Sequence, residues 1–307
     1  TIQGTARPVP LSVYEVNLHT TEGAISQTAL DSFTPSVGAA LAVADHMLTL
    51  LRELGCRDQL FFSLPGNRFT RSDAKTVALW GTVIDMGKTN RRRPHYEAQR
   101  LVNGALAGNL VQTVHSGDNP TWSVANMNRV SLTNAHAIQS FAFDDHGRRS
   151  LLLFNLLRGA SHDVTFTGPY APTGTVALAR LTSSSINDNN ESNAVVATVS
   201  QTLSAFAPAQ TLTLPPFSLT RLQWTEAGPA LTGLAPALGQ SAVTVQWSGR
   251  GDRRYRVQVS DDLTTWRDAG PARAGTYGEQ TFVDDGSLTG GLPAASRQRF
   301  YRVLAEP

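Results

Sequence analysis

Leu11-Ser12-Val13-Tyr14-Glu15-Val16-Asn17-Leu18-His19 is a short, nearly continuous apolar run with one carboxylate near its C-terminal end. Such a run reads as a strand buried on both faces, as in a parallel sheet. A buried carboxylate without a partner loses its hydration, so a glutamate there points to a site that uses the charge. In a (β/α) barrel the chemistry sits where strands end at the C-terminal face, which makes Glu15 a candidate catalytic group. The same residues also fit an edge strand with Glu15 facing water.

The chain beyond this run supplies the context. Residues 20–34 read as a polar loop, and Thr34-Pro35 as a helix start with proline at the first helical position. Val37, Ala40, Leu41, Ala44, Leu48 and Leu51 recur at helical spacing until Gly55 ends the pattern. Gln59 to Gly66 is a second short apolar strand ending in a turn. Strand, loop, helix and strand in this order make a βαβ unit, which implies a parallel sheet. Val77 to Gly87 follows, and Pro94 opens another helix with Tyr96, Ala98, Leu101, Val102, Ala105 and Leu106 as its apolar members.

The βα alternation then stops. Short strands are expected at 138–143, 151–156, 163–167, 176–181, 195–199, 211–214 and 218–224, the number and spacing of an antiparallel sandwich. Phe141, Phe143, Leu152, Phe154, Phe217, Leu219 and Leu222 are its predicted core, packed against an opposite sheet. Ala227-Gly228-Pro229 reads as a linker. Strands near 243–247, 255–259, 279–283 and 300–304 then make a smaller β domain. The expected division is 1–109, 110–226 and 231–307.

A chain of 307 residues accommodates two or three domains of ~100–200 residues each. The formal net charge of +2 is too small and too dispersed for a nucleic-acid partner, and Arg91-Arg92-Arg93 reads as a solvated stretch before a helix. Cys56 is the only cysteine, which excludes disulfides within the chain and cysteine-based metal sites. His46, His95 and His115 lack metal-ligand spacing, so neither a metal nor another cofactor is expected. No segment is apolar over a length that would span a membrane. The chain does not begin with Met and shows no signal peptide, which reads as a processed or truncated N-terminus. Thr1 as an N-terminal nucleophile is conceivable in principle, but Thr-Ile-Gln-Gly carries no supporting signature.

The order of these pieces resembles the C-terminal portion of a retaining glycosidase of the large TIM-barrel clan, in particular the arabinofuranosidase-like and xylosidase-like members that carry a C-terminal β-sandwich. Val13-Tyr14-Glu15-Val16-Asn17 resembles the seventh barrel strand, whose terminal glutamate is the nucleophile in that clan. Trp80 to Gly87, with Arg93-Pro94-His95-Tyr96-Glu97-Ala98, resembles the passage from the eighth strand into the last barrel helix. Ser150 to Leu156 and Leu214 to Thr220 look like strands of the attached sandwich. The tail from Tyr255 to Trp266, with Arg299-Phe300-Tyr301-Arg302-Val303, is similar to small fibronectin-like or immunoglobulin-like modules on secreted bacterial proteins.

The resemblance implies the last βα units of a TIM (β/α)8 barrel, then an antiparallel β-sandwich, then a small fibronectin-like domain. It implies a retaining glycoside hydrolase acting on oligo- or polysaccharide in a secreted or periplasmic bacterial setting. Glu15 is then the nucleophile, with Glu22 in the following loop in reserve. Asn17 and His19 would contact sugar hydroxyls or orient Glu15, and Trp80 would stack on a sugar ring; a satisfied loop histidine and a core tryptophan are the structural alternatives for His19 and Trp80. The clan's acid/base glutamate follows an asparagine at the end of the fourth strand, and no barrel strand precedes residue 10. Asn190-Glu191 has the dipeptide but lies in a turn-rich loop, and the role is not carried over to it. A second chain carrying the remaining barrel strands and the acid/base is therefore expected. A non-catalytic carbohydrate-binding or structural protein is the alternative from another class, and a polysaccharide lyase a third.

Overall fold

The computed structural model describes residues 9–18, 24–125, 131–145, 147–168, 170–226, 228–229, 231–236, 241–251, 253–295 and 298–306. It opens with β1 (Ser12–Val16), α1 (Gln27–Phe33), α2 (Val37–Leu54) and β2 (Asp58–Phe61). β1 and β2 pair in parallel with Ser12 opposite Asp58 and Val16 opposite Phe61. Two short hairpins follow, β3 (Asn67–Thr70) with β4 (Thr76–Trp80) and β5 (Val83–Ile84) with β6 (Arg91–Arg92), and then α3 (Pro94–Asn103).

The helix boundaries have local causes. Ser36 caps α2 by accepting from the Ala39 N–H, and Gly55 closes it in the left-handed conformation at φ 66°. Thr34, the residue expected to start this helix, instead closes α1, with its hydroxyl donating to the Leu30 carbonyl. Pro94 stands in the first turn of α3, where its missing N–H leaves no helical bond unmade.

The strands that follow are β7 (Asn109–Val111), β8 (Thr121–Val124), β9 (Leu132–His136), β10 (Ile138–Asp145), β11 (Arg148–Asn155), β12 (His162–Val164), β13 (Gly174–Leu181), β14 (Thr198–Phe206), β15 (Leu212–Leu214) and β16 (Ser218–Thr225). Six of them form one antiparallel sheet in the order β14-β13-β16-β11-β10-β7. β12 pairs with β15, and β8 with β9, as separate two-stranded pieces. In β11 side chains alternate between two cores, which explains its continuous apolar run. Leu152 and Phe154 belong to a cluster with Leu41, Ala44 and Leu48 of α2 and Leu101 and Val102 of α3. Leu151 and Leu153 belong to a second cluster with Leu212 and Leu214 of β15 and with Phe206, and Val164 of β12 packs against it.

Helices therefore cover one face of the large sheet and the β12/β15 pair lies against the other. All seven predicted core residues are buried, but six of them face α2 and α3 rather than an opposite sheet; Leu222 alone lies in the second cluster. The apolar faces of α2 and α3 are covered by this sheet.

Residues through Thr225 make one compact unit and Glu226 onward another. The division expected at 109/110 runs through the shared helix–sheet core. The second unit contains β17 (Leu231–Pro236), β18 (Val243–Gly249), β19 (Arg254–Ser260), β20 (Arg267–Asp268), β21 (Arg273–Ala274), β22 (Gly278–Asp284) and β23 (Phe300–Glu306). One sheet has the order β17-β18-β22, and in the other β19 pairs with β20, β21 and β23. Their shared core is Val245, Trp247, Tyr255, Val257, Val259, Phe282 and Val303.

Candidate functional site

Glu15 is the fourth residue of β1, directly before the buried Val16. The strand is not buried on both faces: Ser12, Tyr14 and Glu15 are exposed, Tyr14 at 79%, because β2 is its one described strand partner. Among the described residues the Glu15 carboxylate makes no hydrogen bond or ion pair, so it stands free in solvent at the C-terminal end of a parallel strand.

Asn17 fastens that end. Its Nδ2 donates to the Phe62 carbonyl, its Oδ1 accepts from the Leu18 N–H at 2.7 Å, and the Phe62 N–H donates to the Val16 carbonyl at 3.1 Å. The amide expected to meet sugar hydroxyls is thus engaged by main chain, and it orients the strand end beside Glu15. His19, the reserve candidate Glu22 and Thr1 lie outside the described residues. Trp80 pairs through its main chain with Asn67, and its side chain also lies outside the description. The chain just past it is bound to the segment following β2: the Thr82 N–H reaches the Ser63 and Leu64 carbonyls, each at 3.0 Å, and the Val83 N–H reaches Leu64 at 2.9 Å. The structure thus gathers the ends of β1 and β2 and residues 81–83 into one neighbourhood.

Beneath it lie charged and polar groups without a catalytic signature. His95 is buried, with its ring 5.9 Å from that of Phe61 and neither ring nitrogen hydrogen-bonded. Burial, with Arg93 adding repulsion, pushes its pKa down to about 3 and keeps the ring neutral. Arg93 is buried as well, and holds Glu191 through two contacts, Nε to Oε1 at 2.6 Å and Nη2 to Oε2 at 3.1 Å. Its Nη1 donates to the Gly81 carbonyl at 3.0 Å.

Asn190, fully buried, donates to the Arg92 and Val196 carbonyls and accepts from the Val195 and Val196 N–H groups. The Asn190-Glu191 dipeptide is therefore a structural clasp between the β13–β14 loop and the segment before α3. Sequence reasoning passed over this clasp because its halves lie 98 positions apart. Among the described residues no group of three His, Cys, Asp or Glu side chains is arranged to hold a metal ion.

No protein-family model matches the chain, and no curated protein matches it by sequence. Solved structures do match in fold. The thermostable family 51 α-L-arabinofuranosidase from Thermotoga petrophila RKU-1 superposes with TM-score 0.54 at 17% identity, over 70% of this chain and 43% of that one. An arabinose-bound family 51 α-L-arabinofuranosidase gives TM-score 0.51 at 14% identity, over 73% and 34%. A family 86 β-porphyranase from Bacteroides plebeius gives TM-score 0.44 at 15% identity, over 99% and 55%. The chain spans less than half the length of the two arabinofuranosidases it is similar to.

Proposed function

We propose that the chain is part of a retaining glycoside hydrolase and that Glu15 is its nucleophile. In this reading β1 and β2, with α1 and α2 between them, are consecutive βα units of a (β/α)8 barrel. The sheet through β16 is the attached sandwich, and the second unit is an accessory fibronectin-like module of a secreted or periplasmic enzyme. The observation that carries the reading is the free Glu15 carboxylate at the C-terminal end of a parallel strand, in a chain whose fold is similar to glycosidases.

The chemistry needs two carboxyl groups ~5–5.5 Å apart. Glu15 attacks the anomeric carbon as the bond to the leaving oxygen breaks, and the second group protonates that oxygen. The same group then takes a proton from water, which hydrolyses the glycosyl ester on Glu15 and regenerates the carboxylate. Glu191 does not serve as this second group, since Arg93 holds both of its oxygens.

Tyr14, Leu60 and Leu64 are 79%, 58% and 52% exposed along β1, β2 and the segment after β2. A closed barrel has no free edges, and uncovered apolar strands of this kind take up further strands. We infer that a complement, on a second chain or another segment, covers them and brings the acid/base group.

Arabinofuranosides and related glycosides are the first substrates to test, on protein from its native source. A 2-fluoro glycosyl inhibitor should label the peptide containing Glu15. Glu15→Gln should abolish turnover with the far-ultraviolet circular dichroism unchanged. Labelling at another residue, or full activity in a folded Gln variant, overturns the assignment. The complement is tested separately, by intact mass under denaturing conditions and by expressing residues 1–307 alone. A soluble monomer that hydrolyses glycosides unaided overturns that part.

A further inference from the structure

Between β7 and β10, two paired strands of the large sheet, the chain makes an excursion through residues 112–137 that includes the β8–β9 hairpin. Residues 113–119 return to β10 through a polar chain with a defined direction. The Thr113 hydroxyl donates to the Ser140 carbonyl at 3.2 Å, so its oxygen accepts from the Ser140 hydroxyl at 2.8 Å. The single Ser140 hydroxyl proton is thereby used, and Ser140 Oγ must accept from His115 Nε2 at 2.6 Å. At the other side of the ring His115 Nδ1 lies 2.9 Å from Asn119 Nδ2.

The orientation of the Asn119 amide is fixed by main chain. Its Oδ1 accepts from the Ile138 N–H at 3.1 Å and its Nδ2 donates to the Ile138 carbonyl at 3.1 Å. Turning the amide over would set donor against donor and acceptor against acceptor. Nδ1 of His115 therefore has to be the acceptor, and the hydrogen-bond pattern assigns the ring to the neutral tautomer protonated at Nε2. Ser140, His115 and Asn119 have the spacing of a nucleophile, base and orienting group. The polarity is reversed, however, with the ring donating to the serine rather than taking its proton.

We propose that His115 is an acid-released latch: its neutral ring fastens residues 113–118 to the Ile138–Ser140 end of β10, and protonation at Nδ1 unfastens them. The added N–H meets the Asn119 amide hydrogens head-on, and the amide has no alternative orientation. The other titratable or charged groups acting on the ring are His136 of β9 and Arg52 of α2, both of which oppose a further positive charge. Among the described residues no carboxylate pairs with His115. Burial adds to these effects and holds its pKa below the usual histidine range. Because the freed ring regains an ordinary histidine pKa, opening becomes about tenfold easier per pH unit as the pH falls below ~6.5, until the latched ring itself titrates.

The test is amide hydrogen exchange of residues 113–118 in the full chain as a function of pH, expressed as protection factors, alongside 15N chemical shifts of the His115 ring. The latch predicts an Nε2-protonated tautomer at neutral pH and a loss of protection on acidification that follows ring titration. His115→Phe should give low protection at every pH. Asn119→Asp, which offers Nδ1–H a carboxylate acceptor while losing the bond to the Ile138 carbonyl, should raise the ring's pKa and abolish the loss of protection that follows ring protonation. A neutral ring protonated at Nδ1, or wild-type protection factors that do not change with pH, overturns the proposal. So does a His115→Phe profile equal to that of the wild type.

Discussion

Two titratable groups in the first unit, one buried and one half-buried, should hide one another's pH dependence, and a single substitution should expose it. His95 has a folded pKa of about 3, against an ordinary value of 6.5. Between these values the unfolded chain binds a proton there that the folded chain does not, so this group alone makes stability rise with pH. Asp45 of α2, with Oδ1 buried and unbonded, is pushed up to about 6 from 3.8, burial outweighing the nearby Arg52. There the folded chain holds the extra proton, and stability falls as pH rises from 3.8 to about 6. Between about pH 4 and 6 the two slopes oppose one another, each ~1.4 kcal/mol per pH unit.

Asp45→Asn removes one of them. Relative to wild type, the variant should lose about 2–3 kcal/mol as the pH is lowered from 6 to 4. Groups that titrate in both proteins cancel in the difference. The assay is urea unfolding at several pH values followed by helical circular dichroism, since the described α-helices all lie in the first unit. Parallel pH profiles for variant and wild type would refute the reasoning, because Asp45 would then have the same pKa folded and unfolded.

Phe154 is fully buried and meets Phe141 edge-on at 6.1 Å, so Phe154→Ala should destabilise the first unit by ~3–5 kcal/mol. A loss below ~1 kcal/mol in denaturant unfolding would mean that the cavity collapses or that the packing differs. Asn190→Ala removes four hydrogen bonds between a buried amide and the main chain and should cost about 3 kcal/mol. It should also open the β13–β14 loop to limited proteolysis, and an unchanged cleavage pattern would count against the clasp.

The rule that a continuous apolar run marks a strand buried on both faces works for β11 and fails for β1. At β11 both neighbouring layers are present, whereas β1 has a single described strand partner and leaves Tyr14 in solvent. Helix α1 is absent from the sequence reading because Leu30 is its one buried residue, which sets no periodicity. The strand expected at 195–199 is β14, over 198–206, on the edge of the sheet. Val195 and Val199, at the ends of the expected strand, are 62% and 61% exposed, whereas Val196 between them is buried against the helices' core.

Helix α2 is legible from spacing, but its covering partner is not, since a stripe of Leu and Ala fits any apolar surface. At the candidate site, Glu15 stands out because it interrupts an apolar strand. The His115 and Arg93 networks have no local signature, being assembled from residues 25 and 98 positions apart.

The β13–β14 loop also grips the start of α2: the Val37 N–H donates to the Asp188 carbonyl at 2.9 Å and the Gly38 N–H to Ile186 at 3.0 Å. A Cβ on Gly38 would stand 2.6 Å from the Ile186 side chain. For anyone recombining chains of this fold, the six-stranded sheet is not an interchangeable cassette. A graft cut at residue 109 would strip the apolar faces of α2 and α3 and lose the loop's hold on the helix start. Exchange should be sought after Thr225 rather than between the helices and the sheet.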